Sequence, residues 1–356
     1  MKTTVHDICS FMETWAPPAW AYPWDRIGLH TGCPAEKVKS VMVCLTVTPS
    51  VVAAAIRNNI SMIVSHHPLI WNPLKTLRSD NPNTQVCIDL CRANIACFIA
   101  HTNLDVAPNG VNAALAAKLQ LQETRVLFKE EHLKQTKLIT FVPEAQCKSL
   151  LTALAEAGAG IIGNYSHCSF HTPGTGTFLP NPKTTPCSGQ KNIINEKKEI
   201  RLEMRVDNAQ LSAVLTVLHT VHPYEEPAFE LITLENENKN IGLGLTGLLD
   251  STMRASDFVG YVRRQLSIPH AILYGTRSKK INRVAVLGGS GGDYVDQIPA
   301  NIDAYITGDI GYHQVETARL SGLTCIDATH YGTELPIVDT IAKKLRKNFP
   351  AIRITT

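Results

Sequence analysis

The sequence predicts an α/β fold made of two similar halves, interrupted by a separate α+β domain. Three observations lead there. Short β-rich runs alternate with helical patterns at both ends of the chain, the pattern changes in the middle, and a stretch rich in Gly, Pro, Thr and Asn breaks that middle region. In the first third the run Val41 to Val47 reads as a strand. A helix from about Pro49 follows, then a strand at Ser61 to Ser65, a helix near Asn83 to Ala93 and a strand at Ala96 to Ala100. That order implies βαβ units and a largely parallel sheet. The last third repeats it with Val284 to Leu287, Ala304 to Thr307, a helix from about Tyr312 to Leu320, a strand at Leu323 to Ile326 and a closing helix from about Thr333.

Between these halves, Lys137 to Val142 reads as a strand and Ala145 to Ala157 as a helix. Ile200 to Val206 alternates apolar and charged residues, the mark of a half-buried strand. Leu211, Val214, Leu215 and Leu218 share one helical face, and Phe229 to Leu234 is a further strand. The plan is ferredoxin-like, with a loop at about Thr172 to Gln190 and an exit linker, ENENKN, at 235–240. The domain limits are therefore expected at 1–127 and 239–356 for the two parts of the core and 128–238 for the insert.

A chain of 356 residues has room for two or three domains. With 44% hydrophobic and 18% charged residues it has an ordinary globular composition, and a net charge of +3 is too small for a nucleic-acid footprint or a polybasic membrane anchor. Nucleic acid and membrane are thus excluded as expected partners. The stretch MKTTVHDICSF lacks the apolar core of a signal peptide, and no apolar run approaches the roughly 20 residues of a membrane span, so the cytoplasm is the expected location. The ten cysteines are scattered, several in apolar runs, and read as reduced and mostly buried thiols. Cys87 and Cys91 share a helical stretch with no second pair nearby, so burial is a better reading for them than zinc.

Three polar clusters stand at the carboxyl ends of predicted strands: Ser65-His66-His67-Pro68, His101-Thr102-Asn103-Leu104-Asp105, and Asp327 through Glu334 with His330 among them. In open α/β sheets that edge collects ligands. Imidazoles with carboxylates and no thiolate suit zinc, iron, manganese, nickel or cobalt. Consecutive residues of an extended chain point to opposite sides, and Pro68 biases His67 toward that conformation, so His66 and His67 are not expected to chelate one ion together. Each can reach its own ion if two metals lie about 3.5 to 4 Å apart.

Through SHHPLIW, AHTNLD, TGDIGYHQVETA and IDATHYGTE, in order across nearly the whole chain, the sequence resembles the Nif-three-like family, the GTP cyclohydrolase 1 type 2 homologues. The resemblance implies a dinuclear centre in which His67 and Asp105 bind one metal, His66 and His330 the other, and Glu334 bridges both. Three protein ligands per ion leave each with an open position, unlike a closed structural zinc site. Two divalent cations against two carboxylates leave about two surplus positive charges, which favours an activated water and an anionic substrate. The resemblance further likens the middle region, through GNYSHCSFHTPGTGTFLP and HPYEEPAFEL, to the PII and CutA trimer-forming proteins, and implies assembly into a toroidal hexamer.

His101 and His313 are the candidate catalytic residues. His101, four residues before Asp105, suits a general base, an outer hydrogen-bonding partner or a substrate contact, and equally a loop histidine satisfied by its own hydrogen bonds; His313 and Asp309, in TGDIGYH, allow the same three functional readings. The run Gly288 to Gly292 lacks the ending of a phosphate-binding loop and reads as a tight strand-to-helix turn. Lys75 and Arg78 suit a triphosphate or solvent equally. The family's Trp-Asp-Asn-x-Gly-Leu appears as Trp24-Asp25-Arg26-Ile27-Gly28-Leu29, with a permanent cation in place of an amide. Glu225 and Glu226 can approach the metals or stay structural beside a proline turn. The function expected is a hydrolase using two divalent cations, zinc, iron or manganese, on a small metabolite such as a nucleotide, GTP ring opening being the version the family name implies. The alternative is a non-catalytic metal-binding regulatory or scaffold protein.

Overall fold

The computed structural model describes residues 3–130, 133–163, 165–185, 187, 189–236 and 241–356. The chain divides into two compact units, one formed by Met1–Lys129 with Lys239–Thr356, the other by Glu130–Asn238. Residues 237–240 of the expected linker lie outside the described residues.

In chain order, the first unit opens with α1 (Val5–Trp15), β1 (Gly28–Thr31), β2 (Ser40–Cys44), α2 (Pro49–Arg57), β3 (Met62–Ser65), α3 (Pro82–Arg92), β4 (Ala96–Ile99), α4 (Thr102–Val106), α5 (Val111–Lys118) and β5 (Gln122–Phe128). The second unit holds β6 (Gln135–Val142), α6 (Glu144–Glu156), β7 (Ser169–Phe178), β8 (Asn195–Asp207), α7 (Asn208–Val221) and β9 (Phe229–Leu234). The first unit resumes with β10 (Leu243–Arg254), α8 (Ala255–Leu266), β11 (Ile272–Tyr274), β12 (Lys280–Ser290), β13 (Ala304–Gly308), α9 (Tyr312–Ser321), β14 (Thr324–Asp327), α10 (His330–Glu334), α11 (Pro336–Asn348) and β15 (Arg353–Thr355).

The first unit contains two sheets, ordered β1-β4-β3-β2-β15 and β11-β14-β13-β12-β10-β5. Neither is wholly parallel: β15, β2, β3 and β4 run parallel with β1 antiparallel, and only β12, β13 and β14 run parallel in the larger sheet. The three polar clusters therefore do not share one sheet edge. β3 and β4 carry two of them on the first sheet, and β14 carries the third on the second.

In the first sheet the side chains alternate between two cores, as period-2 geometry requires. Val41, Val43, Met62, Val64, Ala96 and Phe98 pack with Ile8 and Met12 of α1 and Ile337 and Ile341 of α11. Ile63, Cys97 and Ile99 face the other way, against Val52 and Ala55 of α2 and Val86 and Leu90 of α3. A sheet covered on both faces needs continuous apolar strands, which is why β3 and β4 read as runs. α1 starts with a capping box between Thr4 and Asp7 and buries Val5, Ile8, Cys9 and Met12 on one stripe. The strand begun at Val41 stops at Cys44, short of the expected Val47. The expected closing helix is two helices, because Pro336 begins α11 at its first turn after α10 has ended at Glu334.

In the second unit the strands order β7-β8-β6-β9, all antiparallel, with α6 between β6 and β7 and α7 between β8 and β9. Its core joins Leu150 and Leu154 of α6 to Val214 and Leu218 of α7 over Leu138, Leu202 and Met204. The expected loop at Thr172 to Gln190 is strand as far as Phe178, paired with β8 from Ser169↔Met204 to Phe178↔Asn195. Its glycines and Pro173 are tolerated because β7 is an edge strand, where a missing N–H costs no ladder bond. Among the described residues no helix is long and apolar enough to cross a membrane. Cys9, Cys97, Cys147 and Cys325 are free and buried, Cys87 is buried on α3, and Cys91 on the same helix is exposed.

Candidate metal centre

β3 ends at Ser65, and the next two residues leave the ladder. His66 is wholly buried, and its Nδ1 donates to the Ala100 carbonyl at 2.8 Å, which turns Nε2 toward Glu334 and Asp105. His67 reaches Thr46 Oγ1 with Nδ1 at 2.7 Å. Alternation does not carry past Ser65: the two rings converge, with centroids 5.2 Å apart, in place of the divergence expected from extended chain.

His330 and Glu334 come from α10 and share its face at i, i+4. Thr329 caps this short helix by accepting from Gly332 N at 3.0 Å, with a positive φ of 63°. His330 Nδ1 donates to Asp309 Oδ2 at 2.7 Å. Glu334 is buried and divides its oxygens. Oε2 lies 2.8 Å from His67 Nε2, while Oε1 lies 3.1 Å from His330 Nε2 and 3.7 Å from His66 Nε2. Asp105, on α4, places Oδ1 3.6 Å from His66 Nε2. The structure thus brings together all five sequence-predicted ligands.

Donor atoms of His66, His67 and Glu334 lie within 4.8 Å of one another, a spacing able to hold a metal ion. A second observation concerns satisfaction: His66 Nε2 and Asp105 Oδ1 are buried with no hydrogen-bond partner. Leaving such atoms unpaired costs about 1 to 3 kcal/mol each, so a cation is the group this donor set fits.

The charges agree. Burial resists ionisation of Glu334, but His66, His330 and His67 outweigh it and hold the carboxyl far below the usual carboxylate range. Burial likewise opposes a charge on His66, yet Glu334 and Asp105 raise it to about 9. His330 also rises to about 9, chiefly through its hydrogen bond to Glu334, and burial pushes Asp105 up to about 6.

His101 adjoins the cluster, its ring centroid 5.2 Å from His66 and 5.9 Å from His67. Nδ1 donates to Asp25 Oδ1 at 2.8 Å, and Asp25 also accepts from Thr102 N at 3.0 Å. Asp25 was not among the expected site residues; its only signal was its place in the Trp-Asp pair. Arg26 turns back onto its own loop, with Nη1 donating to the carbonyls of Trp24 and Asp25 at 2.9 Å each. His313 joins none of this: its ring is exposed on α9 against Tyr312 and makes no hydrogen bond or ion pair to the cluster. Of the TGDIGYH pair, Asp309 is the residue at the centre.

The glycine run is more than a turn. A Cβ on Gly289 would lie 2.3 Å from Glu334 Oε1, and one on Gly308 2.4 Å from His330 N, so backbone must pass directly against α10. Gly289 N donates to Thr333 Oγ1 at 3.0 Å, and Gly288 N to Asn112 Oδ1 at 2.9 Å. Asn112 Nδ2 in turn donates to the Asp105 carbonyl at 2.9 Å, tying α4 to β12. A cavity of about 590 Å³ within the second unit, lined by Phe141, Arg201, Tyr224, Glu225 and Glu226 among others, contains none of these ligands. Glu225 Oε2 accepts there from Thr185 N at 2.8 Å.

Asp25 allows a pH prediction. Burial resists its ionisation, but the His101 and Thr102 hydrogen bonds hold it at about 2, below the ordinary 3.8. A lowered carboxyl stabilises the fold above its unfolded value and loses that contribution as pH falls through its folded value, so the window is about pH 4 down to 2. Asp25→Asn is expected to lose about 2 kcal/mol at pH 6, and the gap to wild type should narrow steadily toward pH 3 in urea melts. A gap independent of pH would contradict the assignment.

The chain is similar to known sequences and structures over nearly its whole length. The model of the Duf34/NIF3 (NGG1p interacting factor 3) family matches residues 3–356. A Bacillus subtilis protein named GTP cyclohydrolase 1 type 2 homolog is 35% identical over 339 residues, 95% of this chain and 91% of that protein. A namesake from Halalkalibacterium halodurans is 34% identical over 96% of this chain and 91% of its own length. Among solved structures, a Bacillus cereus protein related to NIF3 superposes with a TM-score of 0.73 at 34% identity, covering 100% of this chain and 96% of its own. A Staphylococcus aureus protein does so at 0.77 and 28%, covering 99% of this chain and 96% of its own.

Proposed function

Because the chain belongs to the Duf34/NIF3 family, we propose that it is a dinuclear, divalent-metal-dependent hydrolase of a small metabolite, of the GTP cyclohydrolase type named for its relatives. The observation that carries this reading is the divided carboxylate of Glu334, one oxygen toward His66 and His330 and the other toward His67. Two divalent cations held on those groups would activate water and polarise the bond being cleaved.

The roles of the residues follow from what holds each of them. Ala100, Thr46 and Asp309 engage the Nδ1 atoms of His66, His67 and His330, so all three present Nε2 to the centre. Glu334 would be shared between two ions, with His66 and His330 holding one and His67 the other. Asp105 joins His67 by the resemblance, while its Oδ1 also lies within reach of the His66 side. We assign the movement of a proton to His101, oriented by Asp25, rather than to His313. Zinc, iron and manganese all suit this donor set. Opening of the guanine five-membered ring with release of formate is the concrete reaction, in the cytoplasm. We read the second unit as an inserted ferredoxin-like domain of PII/CutA kind that supports a toroidal hexamer; its exposed Tyr165, Phe170 and Ile194 favour such packing.

The test is formate release from GTP by protein loaded with zinc, iron or manganese. Turnover is expected; no turnover of GTP or a nucleotide panel would leave the non-catalytic metal-binding scaffold. Loading should displace protons, since the neighbouring carboxylates of Glu334, Asp105 and Asp309 raise His66 and His330 above the ordinary imidazole value. Calorimetry in buffers of different ionisation enthalpy should show proton release on metal binding, and apparent affinity should tighten from pH 6 to pH 9.

A further inference from the structure

Two half-exposed indoles stand beside the candidate metal centre. Trp24 is 52% exposed and Trp71 is 49% exposed, although tryptophan is usually well buried. Each meets His101 with its ring nearly perpendicular, Trp71 at 5.9 Å and 79°, Trp24 at 6.4 Å and 73°. His101 in turn lies against His66 and His67, so the indoles open onto the metal ligands.

Both are held in advance. Tyr22 stacks on Trp24 at 5.5 Å and 6°, and Tyr22 N donates to Thr102 Oγ1 on α4 at 3.1 Å. The Trp71 loop is tied down by Ile70 N, which donates to His30 Nδ1 at 3.2 Å. The indoles lie 5.7 Å apart at 50°, too close and too tilted for a ring to slip between them. They form a corner in which one ring offers a face and the other an edge. Tyr22 covers one face of Trp24, whereas among the described residues no ring lies parallel to Trp71.

We propose that Trp71 and Trp24 bind the substrate's planar heteroaromatic ring, of purine size, flat on Trp71 with its edge toward Trp24 and His101. The inference rests on the hydrolase reading and names the part of the substrate that the metal ligands do not recognise. Exposed indoles held rigidly cost little side-chain entropy on binding, and every base has a π face that can stack on an aromatic side chain.

The test uses metal-loaded protein with guanosine, GTP and inorganic triphosphate as probes. Trp71→Ala is expected to weaken guanosine binding about tenfold or more and to raise KM for GTP more than it lowers kcat. Trp71→Phe should recover most of the loss, Trp24→Ala should show a smaller one, and metal content and triphosphate binding should stay at wild-type level. Guanosine affinity and KM unchanged in both alanine variants would overturn the proposal. If the wild type binds guanosine but turns over nothing, and Trp71→Ala weakens that binding, the ring site stands while the hydrolase reading fails. A wild type that neither binds guanosine nor turns over GTP removes both.

Discussion

Glu334→Gln should abolish metal binding at the shared position and reduce turnover to background. The substitution keeps size and hydrogen-bonding capacity but removes the charge that faces three imidazoles. Losing an outer partner of a metal ligand typically costs 10- to 100-fold in affinity, so loss of a bridging carboxylate should exceed about 100-fold. Thermal stabilisation by added zinc or manganese, which mass action requires of any ligand bound only by the folded state, should also vanish. Titration with metal under a melting assay, alongside formate release, reads both. A variant with altered melting temperature but wild-type metal content and turnover would show that Glu334 is structural.

The second large effect is expected where no ligand is changed. Gly289→Ala puts a Cβ 2.3 Å from Glu334 Oε1 and imposes a side chain at φ of 78°. The backbone cost alone is roughly 1 to 2 kcal/mol. The larger consequence is displacement of the carboxylate, with loss of metal although all five proposed donors remain. Gly322→Ala is the matched control: its φ is 70°, it ends α9, and nothing lies within 4 Å of the added atom. That variant should lose stability by a similar backbone term and keep its metal. Equal metal content in the two variants would remove the steric argument.

The three polar clusters were legible because strand ends are. β3, β4 and β14 announced themselves as apolar runs, and the donors follow each of them within a few residues. What the pattern could not reveal was that these strands belong to two sheets. Nor could it reveal that β5 and β10 pair across the second unit, since that pairing joins Val126 to Leu245 over more than a hundred intervening residues. β7 was hidden by composition: TPGTGTF has loop-forming residues, and only its ten-residue register with β8 makes it a strand. The convergence of His66 and His67 depends on the chain leaving the ladder after Ser65, which period-2 reasoning assumes away. Asp25, Thr46 and Asn112 act through hydrogen bonds to distant segments, for which a single sequence carries no spacing rule.

The proposed centre is a pair of ions sharing Glu334. It is tested most directly by the metal-to-protein ratio of protein reloaded with excess zinc or manganese and freed of loosely bound ion, measured by elemental analysis. Two ions per chain are expected. A ratio of one would mean that His66, His67 and Glu334 serve a single ion, and a ratio near zero would contradict the metal centre altogether.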